Sequence, residues 1–242
     1  MKELIRDLLP PLLLRSLRGK PSIYWEGDYP SWEAAVARSS GYETAEITRA
    51  VAAAPDAKST YLSDRDQQIL ACLAVARADR LLDVGGASGH YCRLIQRFRP
   101  GCNATVLETP ASATALQSRA TSSLRFTSTP PRDERFDLIM MSALLQYVPD
   151  PFGMLSDLLP LSEFAIINRL PMIDRERITV QRVNQKEYRG SYPMRFFCRH
   201  SFESFVEQTH ERVMVWQVPQ DRLLLDGVPL ECEGMLLRRR AK

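Results

Sequence analysis

Two carboxylates and a glycine-dense turn are the residues of this chain best suited to do chemistry. Leu81-Leu82-Asp83-Val84 is an apolar run interrupted by an acid, Gly85-Gly86-Ala87-Ser88-Gly89 follows at once, and a helical pattern begins behind it. That order predicts a buried parallel strand, a tight loop and a helix, the place where open α/β sheets bind nucleotide-like ligands. Glycine lets the backbone turn with positive φ and lets a ligand approach main-chain N–H groups closely. An acid before such a turn repels a pyrophosphate but suits a cationic amino-acid ligand. The next apolar run, Asn103 to Leu107, ends at Glu108, 19 residues after Gly89. A carboxylate at about that spacing accepts hydrogen bonds from both vicinal hydroxyls of a ribose.

The pattern departs from the dinucleotide fingerprint, which needs glycine at 87 and glycine or alanine at 90, where this chain has Ala87 and His90. The acid, the turn and the second acid together point to S-adenosylmethionine rather than a nicotinamide cofactor. A third signal is Phe136-Asp137-Leu138-Ile139-Met140-Met141 running into Ser142-Ala143-Leu144-Leu145-Gln146-Tyr147. This strand and loop should cross the carboxyl edge of the sheet beside the glycine turn. Ser142 and Gln146 can hydrogen-bond there, and Leu144 can wall the adenine or the sulfonium. The cofactor-binding set is therefore Asp83, Gly85, Gly86, Ala87, Gly89, Glu108, Thr109, Ser142, Leu144 and Gln146.

These residues need a scaffold, and the chain supplies one. The 242 residues are 45% hydrophobic and 25% charged, enough for one full core. A net charge of +3 without a dominant basic block argues against nucleic acid as a partner. The five cysteines lack C-x-x-C pairing and three scattered histidines lack zinc spacing, so reduced core thiols in the cytoplasm and no metal are expected. The leucine- and arginine-rich residues 1–20 are too short and too charged to span a bilayer. They could lie flat on the inner face of a membrane, or pack on the domain or a partner helix. An aromatic, loop-like stretch from Ile23 to Glu33 precedes helices expected at 43–53 and 63–78. Strands and helices then alternate to about Asn168, which predicts right-handed crossovers and a parallel sheet. Late strands at 177–183, 212–218 and 234–239 flank a helix at 201–209.

These motifs resemble class I S-adenosylmethionine-dependent methyltransferases. More narrowly, Trp25-Glu26-Gly27-Asp28-Tyr29-Pro30-Ser31-Trp32, Leu145-Gln146-Tyr147, Ile178-Thr179-Val180-Gln181 and Tyr192-Pro193-Met194-Arg195-Phe196-Phe197 look like a small bacterial methyltransferase family often encoded among surface-polysaccharide genes. The resemblance implies an α/β, Rossmann-like fold: a seven-stranded, mostly parallel sheet with an antiparallel last pair, plus a helical N-terminal extension. Division into residues 1–20, a cap region at 21–78 and a cofactor domain at 79–242 follows. The expected acceptor is a small molecule or glycan precursor, methylated on oxygen. His90 and Tyr147 are the catalytic candidates. Trp25, Tyr29, Asn168, Arg169, Tyr192 and Arg195 are candidates for the acceptor pocket, because aromatic faces suit sugar C–H surfaces and arginine grips carboxylate or phosphate. Ala87 replaces the family's middle glycine, which is comfortable only at negative φ, and Thr127-Ser128-Thr129 stands where many relatives carry an acid for adenine. A catalytically silent binding module in a membrane-associated assembly is the alternative. The residues leave the oligomeric state open.

Overall fold

The computed structural model describes residues 22–41, 44–46, 48–49, 61–185 and 189–241. The expected N-terminal segment, and most of the helix expected at 43–53, lie outside them.

Strand β2 (Arg80–Val84) is buried along all but its first residue, as a strand covered by helices on both faces must be. It pairs in parallel with β3 (Asn103–Leu107) and β5 (Phe136–Ser142). β3 continues to β4 (Leu124–Thr127), and β5 to β6 (Ser162–Ile173), again in parallel. β10 (Val228–Arg239) runs antiparallel to β6 and to β9 (His210–Leu225), completing the expected seven-stranded arrangement. Helices α2 (Asp64–Cys72), α3 (His90–Phe98) and α4 (Pro110–Leu116) pack one face of this sheet through Ile69, Cys72, Cys92, Ile95 and Leu116. Helices α5 (Pro151–Leu158) and α6 (Arg199–Glu207) pack the other through Leu155, Leu158, Phe202 and Val206.

Three further strands extend this arrangement; the one at 177–184 was expected, and the other two correct the sequence reading. The aromatic stretch expected as a loop forms β1 (Ile23–Tyr29), ahead of the short helix α1 (Trp32–Val36). β1 pairs antiparallel with β7 (Arg177–Asn184), which pairs with β8 (Arg189–Cys198). This small sheet hangs from the far end of β6, where Met172 and Ile173 pair with Phe197 and Cys198. Aromatic residues favour strands, but the partner strand lies about 150 residues away along the chain (Trp25 opposite Gln181), which no local pattern reveals.

One irregularity shapes the site. Between Ile167, opposite Met235, and Leu170, opposite Glu233, β6 carries two residues, Asn168 and Arg169, against Gly234 alone. Arg169 has φ 62°. An extra residue bends a strand and re-aims its side chains, and here it does so at the carboxyl edge. A Cβ on Gly234 would collide with the Trp216 indole and crowd Asn168 Oδ1, so only glycine allows this close approach.

Candidate active site

The glycine turn lies at the carboxyl end of β2, as expected. Gly85 (φ 67°) and Gly89 (φ 79°) take left-handed conformations, and Gly89 opens α3. A Cβ on Gly85 would come within 2.7 Å of Leu144 Cδ1, so Leu144 packs directly on the turn. A Cβ on Gly86 would strike the Asp83 carboxyl, which folds beneath it. Ala87 departs from the comfortable case: its φ is 49°, a conformation costing an L-residue roughly 1–2 kcal/mol. Its N–H donates to Glu108 Oε1 at 2.7 Å, holding the strained turn against the next strand.

Asp83 is 1% exposed, and among the described residues its only hydrogen-bonding neighbour is the Cys92 thiol, 3.6 Å from Oδ2, while Oδ1 is buried without a partner. Burial pushes the Asp83 carboxyl up to about 8; the Cys92 thiol opposes the rise and the charge of Glu108 adds to it. Burial also raises Glu108, against hydrogen bonds from the Ala87 and Thr109 N–H groups. Thr109 caps α4 through Ser112 N–H. In the loop after β5, Gln146 donates through Nε2 to the Arg169 carbonyl at 3.2 Å, while its Oε1 is a second buried acceptor without a donor. Ser142 accepts from Asn168 Nδ2 at 3.4 Å, and Trp216 Nε1 donates to Asn168 Oδ1 at 3.1 Å. At the end of β4, the Thr127 hydroxyl accepts from Thr129 N–H and so braces its own loop.

The acceptor candidates fall into separate groups. Trp25 and Tyr147 both donate to Gln181 Oε1, at 3.3 and 2.9 Å, and Gln181 Nε2 donates to the Tyr192 hydroxyl at 3.1 Å. Arg195 is 9% exposed, paired with Glu176 at 2.5 Å, donating to the Pro149 carbonyl and stacked over Trp32. Asn168 and Arg169 occupy the β6 bulge beside Ser142. Tyr29 sits at the far end of β1, opposite Ile178 and against Gly27, whereas Trp25 is the β1 residue opposite Gln181.

His90 lies at the start of α3, its Nε2 2.9 Å from Asp66 Oδ1. Burial tends to raise Asp66, but bonds from His90 and Ser63 outweigh it and hold the carboxyl below its usual range. Sequence reasoning saw Asp66 only as part of a helix start, and it does close a capping box with Ser63. It quoted Gln181 only within a family-like motif and gave it no site role, and it missed Tyr91 altogether. Tyr91, the residue after His90, is hydrogen-bonded to Ser142, and burial raises its hydroxyl. The spacing of α3 from the glycine turn was the available signal for Tyr91. For Gln181 the motif Ile178–Gln181 was the available signal, and it named no partner.

The sheet order, the turn at its centre and the carboxylates at two adjacent strand ends define a Rossmann-like class I methyltransferase fold. The methyltransferase-domain family model matches residues 29–163, and the chain belongs to that family. No curated relative matches the sequence. Among solved structures, the chain is similar to the CcbJ methyltransferase from Streptomyces caelestis, with TM-score 0.56, 11% identity and coverage of 81% of this chain and 96% of that one. It also resembles the glycopeptide N-methyltransferase MtfA complexed with S-adenosyl-L-methionine, with TM-score 0.51, 12% identity and coverage of 84% and 99%. A third similar structure is the Burkholderia thailandensis 1,6-didemethyltoxoflavin-N1-methyltransferase with 1,6-didemethyltoxoflavin and S-adenosylhomocysteine bound, with TM-score 0.51, 17% identity and coverage of 74% and 78%. At these identities the likeness is one of fold. Among the described residues no helix is long and apolar enough to cross a membrane.

Proposed function

We propose that this protein transfers a methyl group from S-adenosylmethionine to a hydroxyl oxygen of a small molecule or glycan precursor. The observation that carries the reading is the pair of buried acceptors, Asp83 Oδ1 and Gln146 Oε1, left without donors at the glycine turn and in the loop after β5. Buried polar atoms are nearly always paired, and a donor-only ammonium on an amino-acid ligand suits both. Glu108 is placed for a ribose diol, Gly85 and Gly86 leave the turn open to close approach, and Leu144 walls the cofactor. Thr127 and its neighbours offer hydroxyl and backbone groups, rather than a carboxylate, to an adenine ring.

The bound cofactor supplies a methyl carbon activated by its sulfonium. The chain's own part is to align an acceptor oxygen with that carbon, exclude water and take up a proton. Asp66 is ionised and accepts from His90 Nε2–H, which leaves Nδ1 as the basic nitrogen of the ring. We assign proton removal to His90 on this ground. Tyr147, oriented through Gln181 together with Trp25 and Tyr192, lines the acceptor side with Asn168 and Arg169. Arg195 braces that wall from behind through Pro149 and Trp32.

Isothermal titration with S-adenosylmethionine and S-adenosylhomocysteine tests the reading. Saturable heat with both ligands is expected, and absence of heat with either would remove the methyltransferase assignment. His90→Gln should lower turnover with little change in cofactor affinity. Unchanged turnover would move the base elsewhere.

A further inference from the structure

Three elements distant in sequence bring charge to one point beside Ser142 and Asn168. Arg65, in the first turn of α2, places Nη2 2.7 Å from Asp221 Oδ1. Arg169, at the β6 bulge, engages the same carboxylate with two nitrogens, Nε at 2.6 Å from Oδ2 and Nη2 at 3.0 Å from Oδ1. Asp221 belongs to neither neighbourhood: it comes from the far end of β9, on the arm formed with β10.

The arrangement has more donor capacity than its one carboxylate uses. Two guanidinium groups share a single anion, and Arg65 Nε is buried without a partner among the described residues. The two arginine side chains are 30% and 33% exposed and Asp221 only 12%, so the cations are reachable while the carboxylate fills the gap between them. The Arg169 backbone is held at positive φ, its carbonyl engaged by Gln146, which fixes the direction of its fork. Planar guanidinium forks match carboxylate and phosphate oxygens two at a time. Among the described residues, Arg177 ties the tip of the arm to β1 through Asp226 and the Gly27 carbonyl. Asp226 is 67% exposed, and an ion pair with a carboxylate so open to water contributes little.

We propose that Arg65 and Arg169 form a subsite for an oxyanion group, carboxylate or phosphate, on the methyl acceptor, and that Asp221 occupies this subsite until the acceptor displaces it. The location as an acceptor subsite rests on the methyltransferase reading. The anion binding itself does not.

The test uses the full chain saturated with S-adenosylhomocysteine and titrated with inorganic phosphate or malonate, against chloride at constant ionic strength. Tryptophan fluorescence reports the binding, because Trp216 shares β9 with Asp221 and donates to Asn168. Saturation is expected with phosphate, malonate or both, but not with chloride; which one saturates identifies the acceptor's acidic group. Asp221→Asn should tighten that binding by at least about tenfold, and Arg169→Gln should abolish it, both with cofactor affinity unchanged. Arg65→Gln serves as a second variant should Arg169→Gln fail to fold. A wild-type protein that saturates with neither anion overturns the proposal, as does saturation that survives loss of either arginine. Absence of S-adenosylhomocysteine binding overturns the methyltransferase reading instead, and the anion titration then reads the subsite alone.

Discussion

At the proposed cofactor site, Asp83 Oδ1 and Gln146 Oε1 stand buried with no donor among the described residues. On the acceptor side, Gln181 uses both atoms of its amide on three aromatic side chains, and Asp221 fills the space between two arginines. On the proposed reading the first region is completed by a ligand, while the second is mostly paired within the protein, Arg65 Nε and Arg195 Nε excepted among the described residues, and exchanges internal partners for a substrate. A buried unmet acceptor costs roughly 1–3 kcal/mol, and that cost is recovered whenever a donor binds. An internally satisfied network gives no such general reward, so it admits only a ligand able to replace the bonds it breaks. The contrast separates generic affinity for a cofactor from selectivity for an acceptor.

The contrast can be broken most directly at Asp83. Asp83→Ala should weaken S-adenosylhomocysteine binding by about 10- to 100-fold, the value of a hydrogen bond to a charged group; titration calorimetry reads this, and an unchanged Kd removes Asp83 from the site. Its protonation sharpens the point. With the carboxyl raised to about 8, the folded protein holds a proton that the unfolded chain releases above its ordinary value of 3.8. The native state therefore binds more protons across that window, and stability falls as pH rises from about 4 to 8. Asp83→Asn should flatten this slope in thermal melts. An ammonium ligand favours the ionised carboxylate, so binding at pH 6.5 should release about one proton. Calorimetry in two buffers of different ionisation enthalpy would detect it, and equal enthalpies would count against an ionised Asp83 in the complex.

The acceptor side predicts the opposite separation. Gln181→Leu leaves the Trp25 and Tyr147 donors without their shared acceptor and should cost about 1–3 kcal/mol in denaturant unfolding. Cofactor affinity should stay within about twofold, since Gln181 lies on β7, which pairs with β1 and β8 and not with β2. A large loss of cofactor affinity would mean that the two regions are one unit. The smallest effect is expected at Ala87→Gly, which relieves positive φ and should add about 1 kcal/mol, or roughly 2–4 °C in melting temperature. A lower melting temperature would show that the Ala87 methyl group is needed for packing.

The cofactor half was legible because its signals are local. Asp83, the glycine turn and Glu108 follow one another along a strand–loop–helix–strand segment, and that segment's geometry puts both acids at one edge wherever it folds. The acceptor half was legible only as residue types. Trp25, Tyr147 and Tyr192 were named as site residues, but Gln181, which gathers them, was named only within a motif. Arg169 was named, but neither the Asp221 that holds it nor the Arg65 opposite. The expected loop at 23–33 became a strand because its partner lies near the other end of the chain.

The sequence by itself determined the alternation of strands and helices, the position of the glycine turn and the two acids, because backbone sterics and hydrophobic periodicity act over a few residues. Only the tertiary structure decided the conformation of Ala87, the bulge that turns Arg169 toward Asp221, and the pairing of His90 with Asp66. Each depends on atoms brought together by long-range strand pairing and helix packing, where the register of one strand against another sets the partner and nothing in the neighbouring residues encodes it.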